Sequence, residues 1–268
     1  MKKNIILIFI ILNYLSSFSQ KKIDLSKNYH PNSEYLTNYS FSSESELKYN
    51  KPKEFTEYLK AQGVPNPNIE LENFNVISKS ETGQKSKNVY PINISIIECS
   101  NNKYKNTNAL GKNISGKIEI NTVESNQLNA QEKKIFFNSL NKVFNIENTG
   151  KKLALNKTIE SEILKKIPFA DNLSVNLKVK TSYYFEKIEN DIGYVKINIK
   201  YELGPIQKGL KIDLKNSDGN GFIEYDLKNE HIKNYTTEIF MNIIVKIEEM
   251  EIELKQKSII SQKIEKKK

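Results

Sequence analysis

The C-terminal part of the chain alternates strictly between hydrophobic and polar residues. The alternation runs through six segments, at residues 173–179, 195–203, 210–214, 223–227, 245–247 and 250–254. Side chains on a β-strand point alternately to the two faces of a sheet, so each segment predicts a strand with one apolar and one wet face. That arrangement is typical of antiparallel sheets.

Turn-forming residues separate these segments. Residues 189–191 and 216–221 have the Asn, Asp and Gly content of hairpin turns, and Glu248 with Glu249 can turn between two long strands. Residues 168–268 therefore predict an antiparallel β-meander. Its strands exceed the average of about 5–6 residues, which favours a strongly curved or twisted sheet.

Residues 51–167 predict a mixed β/α part, and residues 51–268 together form one domain in this interpretation. A helix over 52–62 has Pro52 at its first position and Gly63 at its stop. A second helix over 129–145 begins with Asn129 and Glu132, which have the spacing of a capping box. A third, shorter helix, ending before Pro168, is predicted from the spacing of four apolar residues, namely Ile159, Ile163, Leu164 and Ile167.

Two strands are predicted between the first two helices. Residues 88–99 alternate through Ile92, Ile94 and Ile96, and Pro91 argues that this strand lies at a sheet edge. Residues 110–121 form the second strand. Residues 21–50 show no clear period and predict a polar arm, either weakly ordered or made of edge strands packed through three aromatic residues, namely Tyr35, Tyr39 and Phe41.

The predicted fold is therefore mostly β. We expect a long, curved antiparallel meander, either an extended sheet or an open half-barrel, with two or three short helices packed against it.

The first 20 residues predict export. Lys2 and Lys3 precede an unbroken apolar run at residues 5–12, and small residues precede Gln20. This is the layout of a secretory signal peptide, with cleavage expected after Ser19. The run is shorter than the ~20 residues that a membrane span needs, so no transmembrane segment is expected in the mature chain. No Cys lies near the junction, and we expect a soluble, periplasmic or extracellular protein that is not lipidated there.

The formal net charge of +9 does not indicate a nucleic-acid partner. All 41 basic residues are Lys, whereas Arg is the usual residue for bidentate recognition of phosphates and bases. The lysines are best interpreted as a solvated surface.

Few residues offer catalytic chemistry. Cys99 is the only cysteine, which excludes an intramolecular disulfide, and it is expected to be a half-buried structural residue. His30 and His231 stand alone without metal-ligand spacing, and no nucleophile or phosphate-binding motif occurs. The sequence therefore predicts no enzyme, metal or cofactor. A hydrolase remains an alternative if the fold gathers either histidine with carboxylates or with Cys99.

One stretch resembles a known family. Residues 167–267 contain Thr-Ser-Tyr-Tyr-Phe at 181–185, a hairpin over 188–199 and a Gly-rich turn leading into a Tyr-Asp strand at 219–226. This pattern resembles the C-terminal part of a family of secreted, β-rich bacterial envelope proteins of unknown function. The resemblance implies envelope export and a sheet-dominated fold, and it carries over no catalytic residue.

The sequence best fits a non-catalytic exported binding protein. Its apolar sheet face would hold a lipid-like or hydrophobic ligand or an envelope protein. The candidate lining residues are Leu177, Val179, Ile197, Ile199 and Tyr201. The same residues fit the plain core of a closed sandwich equally well. The alternative function is a surface or structural interaction module of the envelope, in which exposed edges and the Tyr-rich arm contact another protein.

Overall fold

The computed structural model describes residues 21–25, 29–144, 152–170 and 173–267. The predicted signal peptide lies outside the described residues. Within them the chain forms 14 strands, two α-helices and one 3-10 turn. The strands are β1 Lys22–Asp24, β2 Glu34–Lys51, β3 Asn68–Thr82, β4 Val89–Cys99, β5 Asn108–Ile114, β6 Lys117–Glu124, β7 Lys152–Ala154, β8 Thr158–Ala170, β9 Leu173–Glu189, β10 Ile192–Leu203, β11 Leu210–Leu214, β12 Asp218–Asp226, β13 His231–Ile247 and β14 Met250–Lys267. The helices are α1 Lys53–Ala61 and α2 Ala130–Phe144, and the 3-10 turn is Asn102–Tyr104.

Twelve of these strands form one antiparallel sheet. Its order is β6-β5-β4-β3-β2-β14-β13-β12-β10-β9-β8, and the short strand β11 pairs with β13 alongside β12. Strands β1 and β7 form a separate two-stranded sheet. The large sheet is open, because β6 and β8 end it on opposite sides. The mostly β, antiparallel prediction is confirmed, and strands from both halves of the chain pair into this one sheet.

The sheet curls strongly across its width. Five strands separate β2 from β8 in the sheet order, yet Leu47 of β2 and Pro168 of β8 line the same small cavity of about 160 Å³. The edge strand β8 therefore faces the middle of the sheet across a concavity. We call the side of the sheet that faces this concavity the inner face.

The prediction of a polar arm at residues 21–50 is wrong from residue 34 onwards, because these residues form strand β2. Strand β2 lies between β14 and β3 at the centre of the sheet, and it joins the two halves. Its inner face alternates Tyr35, Thr37, Tyr39, Phe41 and Ser43, so hydroxyl groups interrupt the apolar pattern. That interruption conceals the strand from a search for hydrophobic periodicity.

The third predicted helix is also wrong, because its residues form strand β8. Ile159, Ile163 and Ile167 are spaced four residues apart, which is close to one turn of a helix. On a strand, residues separated by an even number also point to the same face. They therefore share one face of a strand, and register places them opposite Tyr183, Val179 and Val175 of β9. Leu164 points to the other face and is 61% exposed.

Strand β4 lies inside the sheet, between β3 and β5, so the edge position predicted from Pro91 is wrong. Pro91 accepts a hydrogen bond from the Gly83 N–H at 3.0 Å, while the Gly83 carbonyl accepts from the Asn32 N–H at 3.1 Å. A proline has no N–H to offer Gly83. The Asn32 N–H donates to the Gly83 carbonyl instead, so that carbonyl keeps a hydrogen bond and the proline is tolerated inside the sheet.

Two further strand predictions need correction. The single strand predicted over 110–121 is a hairpin of β5 and β6 with its turn at Ser115 and Gly116. Gly219 and Gly221, predicted to lie in a turn, are inside β12 and pair with β10 on one side and β13 on the other. The predicted turns at Asn190-Asp191 and at Glu248 are confirmed, with positive φ at all three residues.

Both predicted α-helices between β2 and β7 are confirmed. Helix α2 begins with a reciprocal capping box, because the Glu132 N–H donates to Asn129 Oδ1 at 3.0 Å and the Asn129 N–H donates to Glu132 Oε2 at 2.9 Å. Helix α1 is followed by Gly63 at φ +70°, a conformation that suits glycine.

Most of the buried apolar residues in the described ranges fall into three clusters. The first packs α2 against β3 to β6, the second packs β9, β10, β12 and β13 against residues 23, 25 and 153, and the third joins β9 to one end of β13. The cavity described next lies between the first two.

Candidate functional site

A cavity of about 450 Å³ lies on the inner face of the sheet. Its volume is within the range of small-molecule binding sites, about 300–1,000 Å³. Six strands and the end of α2 contribute to it. The lining residues are Tyr39, Phe41, Val143, Lys165, Val179, Thr181, Tyr183, Ile197, Ile199, Tyr201, Tyr235, Thr237, Ile239, Ile260 and Gln262. We call this space the inner cavity.

Strand register explains why these side chains meet. One row across the inner face runs from Ile197 through Gly221 and Thr237 to Ile260 and Phe41, each residue opposite the next. Because successive strands place their inward positions in matched register, the row forms one wall of the cavity.

Glycines interrupt this wall at β12. Gly221 stands between Ile197 and Thr237, and in the neighbouring row Gly219 stands between Ile199 and Ile239. A Cβ at Gly219 would lie 3.2 Å from Ile239 and 3.3 Å from Ile199. The side chains of the flanking strands thus close over β12.

The C-terminal end of α2 covers one side of the cavity. Val143 lines it, and the Val143 carbonyl accepts a hydrogen bond from Gln262 Nε2 of β14 at 3.4 Å. Phe144 packs against the ring of Tyr29. The Tyr29 ring also makes an edge contact with the Tyr35 ring of β2, with 4.8 Å between the ring centroids. These contacts hold the helix against the inner face.

Four of the five predicted lining residues meet in this cavity. Val179, Ile197, Ile199 and Tyr201 all line it. Leu177 is fully buried elsewhere, in the third cluster with Val175, Met241, Ile243 and Val245. Val179, Ile197 and Ile199 also belong to the second core cluster, so the cavity wall is continuous with packed core.

Sequence reasoning missed the part of the cavity formed by β2, β13 and β14. The polar members Thr237 and Gln262 stand at inward positions of their strands, each between apolar residues of the same parity. Tyr235, Ile239 and Met241 are all odd-numbered and share one face of β13. Thr237 has the same parity, so this pattern alone predicts that it points to the inner face.

Within the part of the chain that the structure describes, two buried polar atoms in the wall have no hydrogen-bond partner. They are Thr237 Oγ1 and Gln262 Oε1, on residues 1% and 3% exposed. Among the described residues that line the cavity, Lys165 on the edge strand β8 is the only charged one, and it is exposed. Burial also raises the pKa of Tyr39, so its phenol stays neutral. The interior is therefore apolar and uncharged, with a few polar groups.

The structure brings the two histidines close together. His30 Nε2 hydrogen-bonds the Glu230 carbonyl at 3.1 Å, and the adjacent His231 contacts the Tyr35 ring at a centroid distance of 5.9 Å. His231 is 2% exposed, and burial lowers its pKa while the nearby Asp226 opposes that change. The buried His231 thus links the start of β13 to β2 and to Asp226 at the end of β12.

Cys99 is buried at the end of β4 opposite Val76 of β3. Burial raises the pKa of its thiol. A thiol must ionise to act as a nucleophile, so this environment is unlike that of catalytic cysteines. Across the described ranges, no cluster of three or more His, Cys, Asp or Glu residues could hold a metal ion.

Comparisons with known proteins give little further information. No protein-family model matches the chain, and no curated protein matches it. Among solved structures, the outer membrane protein OprG from Pseudomonas aeruginosa is matched at 5% identity over 90% of this chain and 99% of that chain, with a TM-score of 0.21. In the part of the chain that the structure describes, no helix is long and apolar enough to span a membrane.

Proposed function

We propose that this chain is a non-catalytic binding protein that holds a lipid-like or other hydrophobic ligand in the inner cavity. The observation that carries the proposal is the cavity itself, an apolar space of about 450 Å³ between a curled sheet and the end of α2. Binding sites for small molecules are typically concave, mostly apolar and furnished with a few polar groups.

The apolar walls supply the affinity in this proposal. Ile197, Ile199 and Ile239 surround the glycines of β12, and Phe41 and Ile260 face them from β2 and β14. Transfer of an alkyl group from water into such a space is favourable by about 0.8 kcal/mol per buried CH₂. A chain of several methylene groups therefore gains enough free energy for a stable complex.

The proposal includes export, which rests on residues 1–20. Their charged start, apolar run and small residues support removal of a signal peptide and a periplasmic or extracellular location. N-terminal sequencing of the native protein tests this part. A new N-terminus near Gln20 supports export, and retention of Met1 and Lys2 in the cytoplasmic fraction would contradict it.

Native mass spectrometry of gently purified protein tests ligand binding. We expect a bound species that adds mass to the chain. The variant Ile260→Phe fills the cavity and should lose this species. The control variant Ile259→Phe changes the adjacent residue, which is exposed on the opposite face of β14, and should retain it. Equal ligand content in the two variants, or none in the wild type, would contradict the proposal.

A further inference from the structure

The two unpartnered polar atoms in the wall of the inner cavity restrict the chemistry of its ligand. Gln262 uses its amide nitrogen to donate to the Val143 carbonyl, which directs its oxygen, an acceptor, away from that bond. Thr237 supplies a hydroxyl that can both donate and accept. Neither Gln262 Oε1 nor Thr237 Oγ1 has a partner among the described residues, although both are buried.

These two side chains are neighbours on adjacent strands. Thr237 pairs with Ile260, and Gln262 pairs with Tyr235, so the two stand diagonally on the inner face. Diagonal cross-strand neighbours are about 7–8 Å apart, within reach of long side chains such as glutamine. A single polar group of a ligand can therefore meet both.

We infer that the ligand is a neutral, hydroxyl-bearing amphiphile whose hydroxyl donates to Gln262 Oε1 and accepts from the Thr237 hydroxyl. This inference rests on the proposed function. A hydroxyl is the smallest group that complements an acceptor and a hydroxyl together. Its apolar remainder lies against Ile197, Ile199 and Val179.

A carboxylate does not fit this position. Its oxygens only accept hydrogen bonds, so it would face the Gln262 oxygen acceptor to acceptor. A buried carboxylate also needs a nearby cation or several donors. The only charged residue among the described lining residues, Lys165, is on the exposed edge strand β8.

Competition against a neutral, environment-sensitive dye such as N-phenyl-1-naphthylamine tests the inference. The dye reports whether the cavity binds apolar compounds at all, and decanol and decanoate at neutral pH then differ only in their polar end. We expect decanol to displace the dye at a concentration about tenfold lower than decanoate, since leaving buried polar atoms unpaired is costly.

Two variants locate the effect. The double variant Thr237→Val with Gln262→Leu should still bind the dye but need an about tenfold higher concentration of decanol to displace it, because the hydroxyl then has no partner in the cavity. The matched control is Thr236→Val with Gln256→Leu. Thr236 is on the opposite face of β13, and Gln256 hydrogen-bonds Ser43 outside the inner cavity, so decanol should displace the dye from this control as it does from the wild type.

The outcomes separate the two proposals. Failure of the wild type to bind dye and decanol overturns the proposed function. Dye binding without a preference for decanol, or displacement by decanol that is unchanged in the Thr237/Gln262 variant, overturns only the hydroxyl assignment. Tighter binding of decanoate, abolished by Lys165→Met, would place the polar end at the edge strand and also overturn that assignment.

Discussion

Gly221 of β12 lies directly opposite Thr237 of β13, and a Cβ added at Gly221 would lie 2.8 Å from the Thr237 methyl group and 2.9 Å from its Cα. It would also overlap the carbonyl oxygen of Thr236. The absence of a side chain in β12 thus lets Thr237 approach the strand and take its place in the cavity wall.

Substitution of this glycine should therefore destabilise the protein. We expect Gly221→Ala to lower the free energy of unfolding by about 1–3 kcal/mol, the usual cost of overpacking. Gly219→Ala is the matched comparison, because its nearest contacts are longer, at 3.0–3.3 Å. Urea unfolding of both variants checks the ranking. A Gly221→Ala variant as stable as the wild type would contradict the close approach.

The capping box of α2 should contribute to stability. Asn129→Ala removes the acceptor of the Glu132 N–H, and we expect a loss of about 1 kcal/mol in the free energy of unfolding. Asn129→Asp keeps an oxygen acceptor at the cap and should be close to the wild type. Thermal unfolding followed by circular dichroism compares the variants. Equal losses in both would show that the cap bond is unimportant.

His231 should make stability depend on pH. Burial lowers its pKa below the ordinary value of 6.5, so the unfolded chain binds a proton more readily than the folded chain. The contribution of the neutral, buried imidazole is complete above about pH 6.5 and is lost as the pH falls towards the lowered pKa.

The measurement is the free energy of unfolding of the wild type and of His231→Phe between neutral and mildly acidic pH. The difference between the two proteins isolates His231 from the other groups that titrate. We expect the wild type to lose more stability than the variant on acidification. Parallel pH profiles would show that His231 keeps an ordinary pKa.

Cys99 should react slowly in the folded protein. Its thiol is buried and its pKa is raised, so little thiolate is present and access is restricted. Labelling with a disulfide reagent at mildly alkaline pH should be far slower than labelling of glutathione, and unfolding in guanidinium should remove the difference. A native rate equal to that of glutathione would argue for a reactive thiol.

Much of the C-terminal meander was predictable because the alternation is clear in most of its strands and the turns at Asn190-Asp191 and Glu248 contain turn-forming residues. Strand β8 was not, since residues four apart satisfy both a helix and a strand, and only pairing with β9 decides between them. Strand β2 was not predicted, because threonine and serine hydroxyls share its inner face with aromatic rings and hide the apolar alternation. The sheet centre therefore looked like a polar arm.

The cavity was predictable in part for a related reason. Val179, Ile197, Ile199 and Tyr201 follow the clearest alternation in the chain. Their partners across the cavity come from strands far away in sequence, and the strand order that brings them together is a tertiary property. Leu177 has the same alternation as Val179, but it lies one row further along the sheet, where β13 packs against it.

The most direct test of the inner cavity as a binding site uses a tryptophan placed in its wall. The chain has no Trp, so Phe41→Trp introduces a single emitter at a lining position, and Phe240→Trp places one on the exposed face of β13 as the control. Titration with decanol should shift the emission of Phe41→Trp to shorter wavelength and leave Phe240→Trp unchanged. No shift in Phe41→Trp, or the same shift in both variants, would contradict ligand binding in the inner cavity.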